Sequence, residues 1–219
     1  MAKAKKKTNF ITTLGMFDTG YPPVRYKFNG VPIKDVKPLG ADDYSPRGGT
    51  PLNDSVLHII STMERSFSDN KDDVHLGFLL DESGSMSSQK DSVIEGYNKF
   101  LTDIQNEKAK KGGRILLVIM TDGGENASIE DATGSKVKEL IAKKESEGWK
   151  FLYLGANQDA WREGRSLGIQ QGHSINTIAS KRGISNQFSS LRSVTSSYLE
   201  SDQSYDTAVA SIGSSIGEE

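Results

Sequence analysis

The sequence of 219 residues predicts one α/β domain with a mostly parallel central sheet, an antiparallel hairpin at one edge, and helices on both faces. Three observations lead to this prediction. Short apolar runs alternate with segments in which apolar residues recur at helical spacing. The runs at 74–80 and 114–120 are almost wholly apolar, as in parallel strands that are covered on both faces. The chain is also long enough to bury a substantial core.

Composition limits the classes of function that fit this chain. The 27 basic and 29 acidic residues nearly balance, so we expect neither nucleic acid nor a membrane surface as a partner. The absence of cysteine excludes disulfides and thiolate chemistry, and only three histidines are present. Residues 1–8 are basic and predict a disordered lead, with no apolar segment that resembles a signal peptide or a membrane span. We therefore expect a soluble, cytoplasmic protein; nothing predicts its oligomeric state.

The first part of the chain, residues 9–66, predicts a pair of strands and a helix. Residues 9–18 are rich in β-branched and aromatic side chains, and residues 24–36 form a second extended region. The Asn29-Gly30 dipeptide within that region is typical of a hairpin turn. After a polar loop, Thr50 and Pro51 suit the start of a helix that ends near residues 66–70.

The remainder continues the alternation. Residues 74–106 predict a strand and a long helix capped by Ser87 or Ser88. Residues 114–200 then predict two further strands and three helices, with a polar loop at residues 169–180; the elements are expected at 114–120, 136–147, 149–154, 159–166 and 184–199. Residues 201–219 read as a weak helix or a weakly ordered tail. Together, residues 9–200 are expected to form the single domain.

Oxygen-bearing side chains follow two of the buried strands and occupy one loop. Asp81, Ser83 and Ser85 follow the strand at 74–80, Asp122 follows the strand at 114–120, and Thr50 lies in the loop before the first helix. Carboxyl ends of parallel strands meet at one edge of a sheet, which is where such sheets bind ligands. Carboxylate and hydroxyl oxygens suit a hard cation such as Mg²⁺. The sequence therefore predicts a metal site at this edge. The carboxylates Glu82 and Glu125 are interpreted as solvated loop positions.

These motifs resemble the metal-ion-dependent adhesion site (MIDAS) of von Willebrand factor type A (vWA) domains. The Asp-x-Ser-x-Ser motif lies at 81–85, the threonine loop at 49–52 and the second aspartate at 121–123. Residues 125–128 and 151–160 resemble the bacterial and phage branch of that family, and the resemblance covers about residues 9–198. It implies a three-layer, Rossmann-like vWA fold, and location in the host cytoplasm if the protein is phage-encoded.

The resemblance also implies roles for the site residues. Ser83, Ser85 and Thr50 would bind the metal directly, and Asp81 and Asp122 either directly or through water. The expected ion is Mg²⁺, with Mn²⁺ or Ca²⁺ as alternatives. An Asp or Glu of a protein partner would take the remaining position.

The order of segments departs from the family pattern, in which the Asp-x-Ser-x-Ser strand comes first. Here residues 9–66 precede residues 74–106, as in a permuted chain, and the sequence leaves open whether the rearrangement is natural or engineered. We expect the strand at 74–80 to lie between those at 9–18 and 114–120. The helix that ends at residue 106 would then make a rare left-handed crossover, unless it lies on the other face.

Two other functions remain open beside a protein-binding module. One is a metal-assisted hydrolase or phosphatase-like enzyme at the same site. No histidine, cysteine or lysine accompanies the motifs as base or nucleophile. Aspartyl-phosphate phosphatases have the motif Asp-x-Asp-x-Thr, and Ser83 takes the place of its second aspartate, the general acid. We therefore expect no enzyme. The other is an engineered topological variant of a vWA domain.

Overall fold

The computed structural model describes residues 9–69, 71–129, 133–156, 160–170 and 172–215. Within them lies a six-stranded sheet of order β2-β1-β3-β4-β5-β6. Its strands are β1 (Phe10–Phe17), β2 (Val24–Pro32), β3 (Val74–Asp81), β4 (Arg114–Thr121), β5 (Lys150–Ala156) and β6 (Ser174–Thr177). Strands β1 and β2 pair antiparallel at one edge, and the other pairs are parallel. The predicted α/β class, with its edge hairpin, is confirmed.

Helices cover both faces of the sheet. They are α1 (Leu52–Asp69), α2 (Lys90–Ile104), α3 (Gly134–Ser146), α4 (Ala160–Ser166), α5 (Lys181–Glu200) and α6 (Asp202–Ser215). One apolar core joins α2, α5 and α6 to one face of the sheet, and a second joins α1, α3 and α4 to the other. The architecture is therefore three-layered and Rossmann-like. Within the described residues, no helix combines the length and apolar character that crossing a bilayer requires.

The register of the three central strands aligns their ends. Strand β3 lies between β1 and β4, as predicted, with Val74 beside Phe10 on one side and Arg114 on the other. Strands β1 and β3 pair residue by residue without a bulge, so Asp81 at the end of β3 lies beside Phe17 at the end of β1. The carboxyl ends of three adjacent strands therefore meet at one edge of the sheet, and the segments that follow them start close together.

The crossover through α2 has the opposite hand to those through α3 and α4. All three connections, β3 to β4, β4 to β5 and β5 to β6, step in the same direction across the sheet. Helix α2 lies on one face, whereas α3 and α4 lie on the other. Because right-handed crossovers are strongly preferred, we infer that the crossovers through α3 and α4 are right-handed and that the one through α2 is left-handed. This matches the left-handed arrangement of the two that the sequence allowed.

Four segments differ from what the sequence predicted. Asn29-Gly30 lies within the continuous strand β2 and does not form a hairpin turn. The region 169–180, expected to be a loop, contains β6, in which Ile175 is the only large apolar residue, too little for a recognisable strand pattern. Residues 84–89 form a 3₁₀ turn, so α2 begins at Lys90 and has no serine cap. The weak helix or tail begins with α6, which buries Tyr205 and Val209. The basic lead, residues 1–8, lies outside the described residues.

Candidate metal centre

Three loops are hydrogen-bonded together at the carboxyl edge of the sheet. The loop after β3 is joined to the loop before α1 by a bond from Gly84 N–H to the carbonyl of Gly48 (2.9 Å). The loop after β4 is joined to the same segment, because Thr50 N–H donates to Oδ1 of Asn126 (2.8 Å). Main-chain groups and the side-chain amide of Asn126 thus fix the loops that carry the predicted ligands.

The structure brings Ser83, Ser85 and Asp122 into direct contact. The hydroxyl oxygens of the two serines are 3.0 Å apart, and Ser85 donates to Oδ1 of Asp122 over 2.6 Å. Neighbouring oxygens around an octahedral Mg²⁺, each about 2.1 Å from the ion, would be separated by about 3 Å. The spacing of the two serine oxygens matches this value, whereas the shorter Ser85–Asp122 distance is that of a hydrogen bond.

Thr50 lies against the turn that follows Asp122. A Cβ on Gly123 would come within 3.2 Å of the Thr50 hydroxyl oxygen, so this oxygen faces the turn at close range. Thr50 itself is buried. A side chain at position 123 would therefore crowd the hydroxyl, which gives a steric reason for glycine there. The predicted threonine thus lies beside the residue that follows Asp122, and it makes no hydrogen bond with the serines.

Asp81 is the fully buried carboxylate behind the serines. Its Oδ1 accepts the N–H of Ser83 (2.7 Å), and its Oδ2 accepts the hydroxyl of Thr121. Burial raises the pKa of Asp81 to about 6, although these hydrogen bonds act in the opposite direction. Because both oxygens already accept protein donors, Asp81 is better suited to orienting the Ser83 loop, or holding a water molecule, than to direct ligation.

Gln89 is a buried polar residue beside this centre that was not identified from the sequence. Its Nε2 lies 3.5 Å from Oδ2 of Asp122, and its Oε1 has no hydrogen-bond partner among the described residues. A buried amide oxygen without a donor is unfavourable, and a bound water molecule would satisfy it. Gln89 lies one turn beyond Ser85 in the sequence, which is the only signal that could have indicated it.

The interpretation of Glu82 as a solvated residue is wrong. Its side chain is 3% exposed and forms an ion pair with Arg25, whose Nη2 lies 2.8 and 2.9 Å from the two carboxylate oxygens. The same carboxylate accepts the N–H of Ser45. The adjacent buried Tyr44 donates its hydroxyl to the main-chain carbonyl of Asp81. Glu82 therefore holds the loop before α1 against the end of β3, a contact between distant segments that no local pattern could reveal.

Glu125 is exposed, as expected, but it has a structural role. Its carboxylate accepts the main-chain N–H groups of Asn53, Ala127 and Ser128 over 2.6–2.9 Å. Burial alone would raise the pKa of Glu125, but these hydrogen bonds together lower it below the ordinary value. A carboxylate at the start of α1 also interacts favourably with the helix dipole. Glu125 therefore joins the loop after β4 to the first turn of α1.

The donor set is rich in hydroxyls and poor in carboxylates. Within the described part of the chain, no group of three or more His, Cys, Asp or Glu side chains could hold a metal ion. No protein-family model, curated protein or solved structure matches this chain. What speaks for a metal ion is the convergence of the Ser83, Ser85 and Asp122 oxygens beside Thr50. Such oxygens suit Mg²⁺ or Ca²⁺ rather than softer metals.

Proposed function

We propose that this chain is a divalent-metal-dependent protein-binding module. Ser83, Ser85 and Thr50 would hold Mg²⁺ directly together with Asp122, and Asp81 would act through a water molecule. The observation that carries the proposal is the 3.0 Å and 2.6 Å spacing of the Ser83, Ser85 and Asp122 oxygens. When bound, the ion would offer an electropositive position to an Asp or Glu side chain of a partner. Mn²⁺ and Ca²⁺ are alternatives with the same preference for oxygen.

The side chains of the cluster favour binding over catalysis. Within the described residues, the groups bonded to the carboxylates of Asp81 and Asp122 belong to serine, threonine and glutamine, which are poor general bases. Asp122 accepts the Ser85 hydroxyl, and Asp81, whose oxygens accept Ser83 N–H and Thr121, would act only through water. An ion held there would therefore keep part of its positive charge for an external carboxylate. The resemblance to vWA domains, with its segments permuted, supports the same proposal.

Calorimetric titration with Mg²⁺ tests the metal site. Ser85→Ala removes one proposed ligand from an exposed position, and Ser88→Ala removes an exposed hydroxyl from the same turn as a matched control. We expect S85A to weaken Mg²⁺ binding at least tenfold and S88A to leave it unchanged. Equal heats for the wild type and S85A would refute the site. Mn²⁺ in place of Mg²⁺ allows the same comparison by paramagnetic relaxation.

A second measurement addresses the proposed partner chemistry. Short synthetic peptides that contain one Asp would be titrated in Mg²⁺ and again in excess chelator. The proposal expects weak binding that requires the ion and is lost when the peptide Asp is replaced by Asn. Binding that survives both changes would contradict capture of a carboxylate by the metal.

A further inference from the structure

A groove of about 340 Å³ opens beside the proposed metal site. We call it the Arg47 groove; its lining includes Gly20, Tyr21, Pro22, Pro23, Arg25 and Arg47. Tyr21 is 85% exposed, which is unusual for a large aromatic side chain in a folded domain. Exposed aromatic groups at the rim of a groove are typical of protein-binding surfaces. Tyr21 thus lies at the edge of the groove and outside the apolar core.

The groove adjoins the serine loop through the main chain. Arg47 N–H donates to the carbonyl of Glu82 (2.7 Å), one residue before Ser83. A Cβ on Gly84 would lie 3.3 Å from the Gly48 carbonyl oxygen and 4.0 Å from the carbonyl carbon of Arg47. The backbone at Arg47 is therefore close to the loop that presents the proposed ligands. An extended segment bound at the metal would reach the groove with its neighbouring residues.

The Arg47 guanidinium is fixed in place but not saturated. Its Nε donates to Oδ2 of the buried Asp18 over 2.6 Å, and the other oxygen of Asp18 accepts Gly20 N–H. The Arg47 side chain is nevertheless 70% exposed, and its terminal nitrogens have no hydrogen-bond partner among the described residues. By contrast, Nη2 of Arg25 already contacts Glu82. Arg47 is thus held by one nitrogen while its remaining donors face outward.

We propose that the Arg47 groove binds a second carboxylate of the same partner, so that the module selects extended acidic peptide segments. This inference rests on the proposed function: one Asp or Glu would reach the metal, and a second, within a few residues, would bind Arg47. Two parallel N–H donors of an arginine match a carboxylate, and charge-assisted bonds of this kind are strong and specific. The residue between the two acids would pack against Tyr21 and Pro22.

The test uses synthetic nonapeptides of alternating Gly and Ser, with one Asp or with one Asp and a Glu placed one, two or three residues further along. Binding is measured by fluorescence anisotropy in Mg²⁺. The best di-acidic peptide is expected to bind the wild type at least tenfold more tightly than the mono-acidic one. Arg47→Gln should abolish this preference, and Arg47→Lys should retain part of it, because lysine keeps the charge but loses the planar fork.

Arg192→Gln is the matched control, since Arg192 is also an exposed arginine whose Nε pairs with an aspartate, Asp103, here between α5 and α2. It should leave the preference unchanged. Circular dichroism verifies that each variant is folded, and Mg²⁺ calorimetry on R47Q should match the wild type.

The outcomes separate this inference from the metal site. Equal affinity of the wild type for mono- and di-acidic peptides, or no peptide binding at all, would overturn the second-carboxylate site. If the wild type still binds Mg²⁺ in calorimetry, the metal site is unaffected by that result. If calorimetry detects no Mg²⁺ binding to the wild type, the proposed function itself is refuted. A di-acid preference that persists unchanged in R47Q would overturn the role of Arg47.

Discussion

The hydroxyl of Thr121 donates a hydrogen bond to the buried carboxylate of Asp81, and so joins the last residues of β4 and β3. Asp81 would otherwise have one oxygen unsatisfied in an apolar environment, which is costly for a charged group. The bond also fixes the carboxylate whose other oxygen orients Ser83. Thr121 therefore positions the Asp81 carboxylate beneath the proposed site.

Thr121→Val should destabilise the fold more than a similar change elsewhere in the sheet. Hydrogen bonds to charged groups contribute about 1.5–3 kcal/mol, so we expect a loss of about 2 kcal/mol in urea unfolding at pH 7. Thr12→Val is the control, because the buried Thr12 hydroxyl donates to a neutral carbonyl, that of Leu76, and should cost about 1 kcal/mol. Equal losses for the two variants would show that Asp81 does not depend on Thr121.

Replacing Glu125 should loosen the start of α1. The Glu125→Ala variant removes the acceptor of the Asn53, Ala127 and Ser128 N–H groups, and we expect a loss of about 1–2 kcal/mol, as for a helix cap. The variant should also weaken Mg²⁺ binding, because the same loop holds the backbone of Thr50. Glu139→Ala, at an exposed position of α3, is expected to change neither quantity. A stable E125A with wild-type Mg²⁺ affinity would contradict this role.

The pH dependence of stability should contain a contribution from His173. Burial lowers the pKa of this imidazole and nearby Lys150 lowers it further, while Asp206 acts in the opposite direction. The unfolded state therefore binds the proton more readily, so His173 contributes stability above about pH 6.5 that is lost as the pH falls toward its folded pKa. His173→Asn should weaken the pH dependence of the unfolding free energy as the pH falls below about 6.5.

Lys150→Gln provides a second test of the same contribution. It removes the cation that lowers the His173 pKa and releases Asp206, which pairs with Lys150 over 2.8 Å. NMR titration of the His173 ring should then give a higher pKa than in the wild type. An unchanged or lower value would show that burial alone sets the protonation of this histidine.

Exchanging two segments of the chain should reverse the hand of the α2 crossover. In a chain ordered 74–113, 9–73, 114–219, helix α2 would lead from β3 to β1 on the same face, which reverses the hand. The new joints are short: Asp73 already accepts hydrogen bonds from Asn9, Gly113 and Arg114. The joint from residue 113 to residue 9 must lead from the start of β4 to the start of β1. These strands flank β3 and lie about 10 Å apart, a distance that three glycines can span.

A preference of about 98 to 2 for right-handed crossovers corresponds to about 2 kcal/mol, and the reordered chain should gain stability of that order. Urea unfolding of both chains measures the gain. A control chain with three glycines inserted after Asp73, in the original order, separates the effect of the linker from that of the topology. Equal stability of the reordered and control chains would show that the left-handed crossover carries no penalty here.

Much of the fold could be predicted because it depends on local patterns. Apolar runs such as residues 114–120 are strands wherever a sheet buries both faces, and the periodicity of residues 52–63 is that of a half-buried helix. The loops carrying Asp81 and Asp122 could be placed at one edge, since parallel strands share their direction. Thr50 follows no parallel strand, so only the resemblance to vWA domains placed it there. Strand β6, whose side chains are mostly polar, was the element without such a pattern.

The sequence by itself determined the class of fold, the edge at which the oxygens gather and the residues that supply them, because strand direction and burial follow from local periodicity. Only the tertiary structure decided the hand of the α2 crossover, the burial of Glu82 against Arg25, and the exposed guanidinium of Arg47 held by Asp18. These depend on which distant segments meet. Contacts between distant segments fix these ion pairs and side-chain orientations, so the spacing of residues along the chain does not predict them.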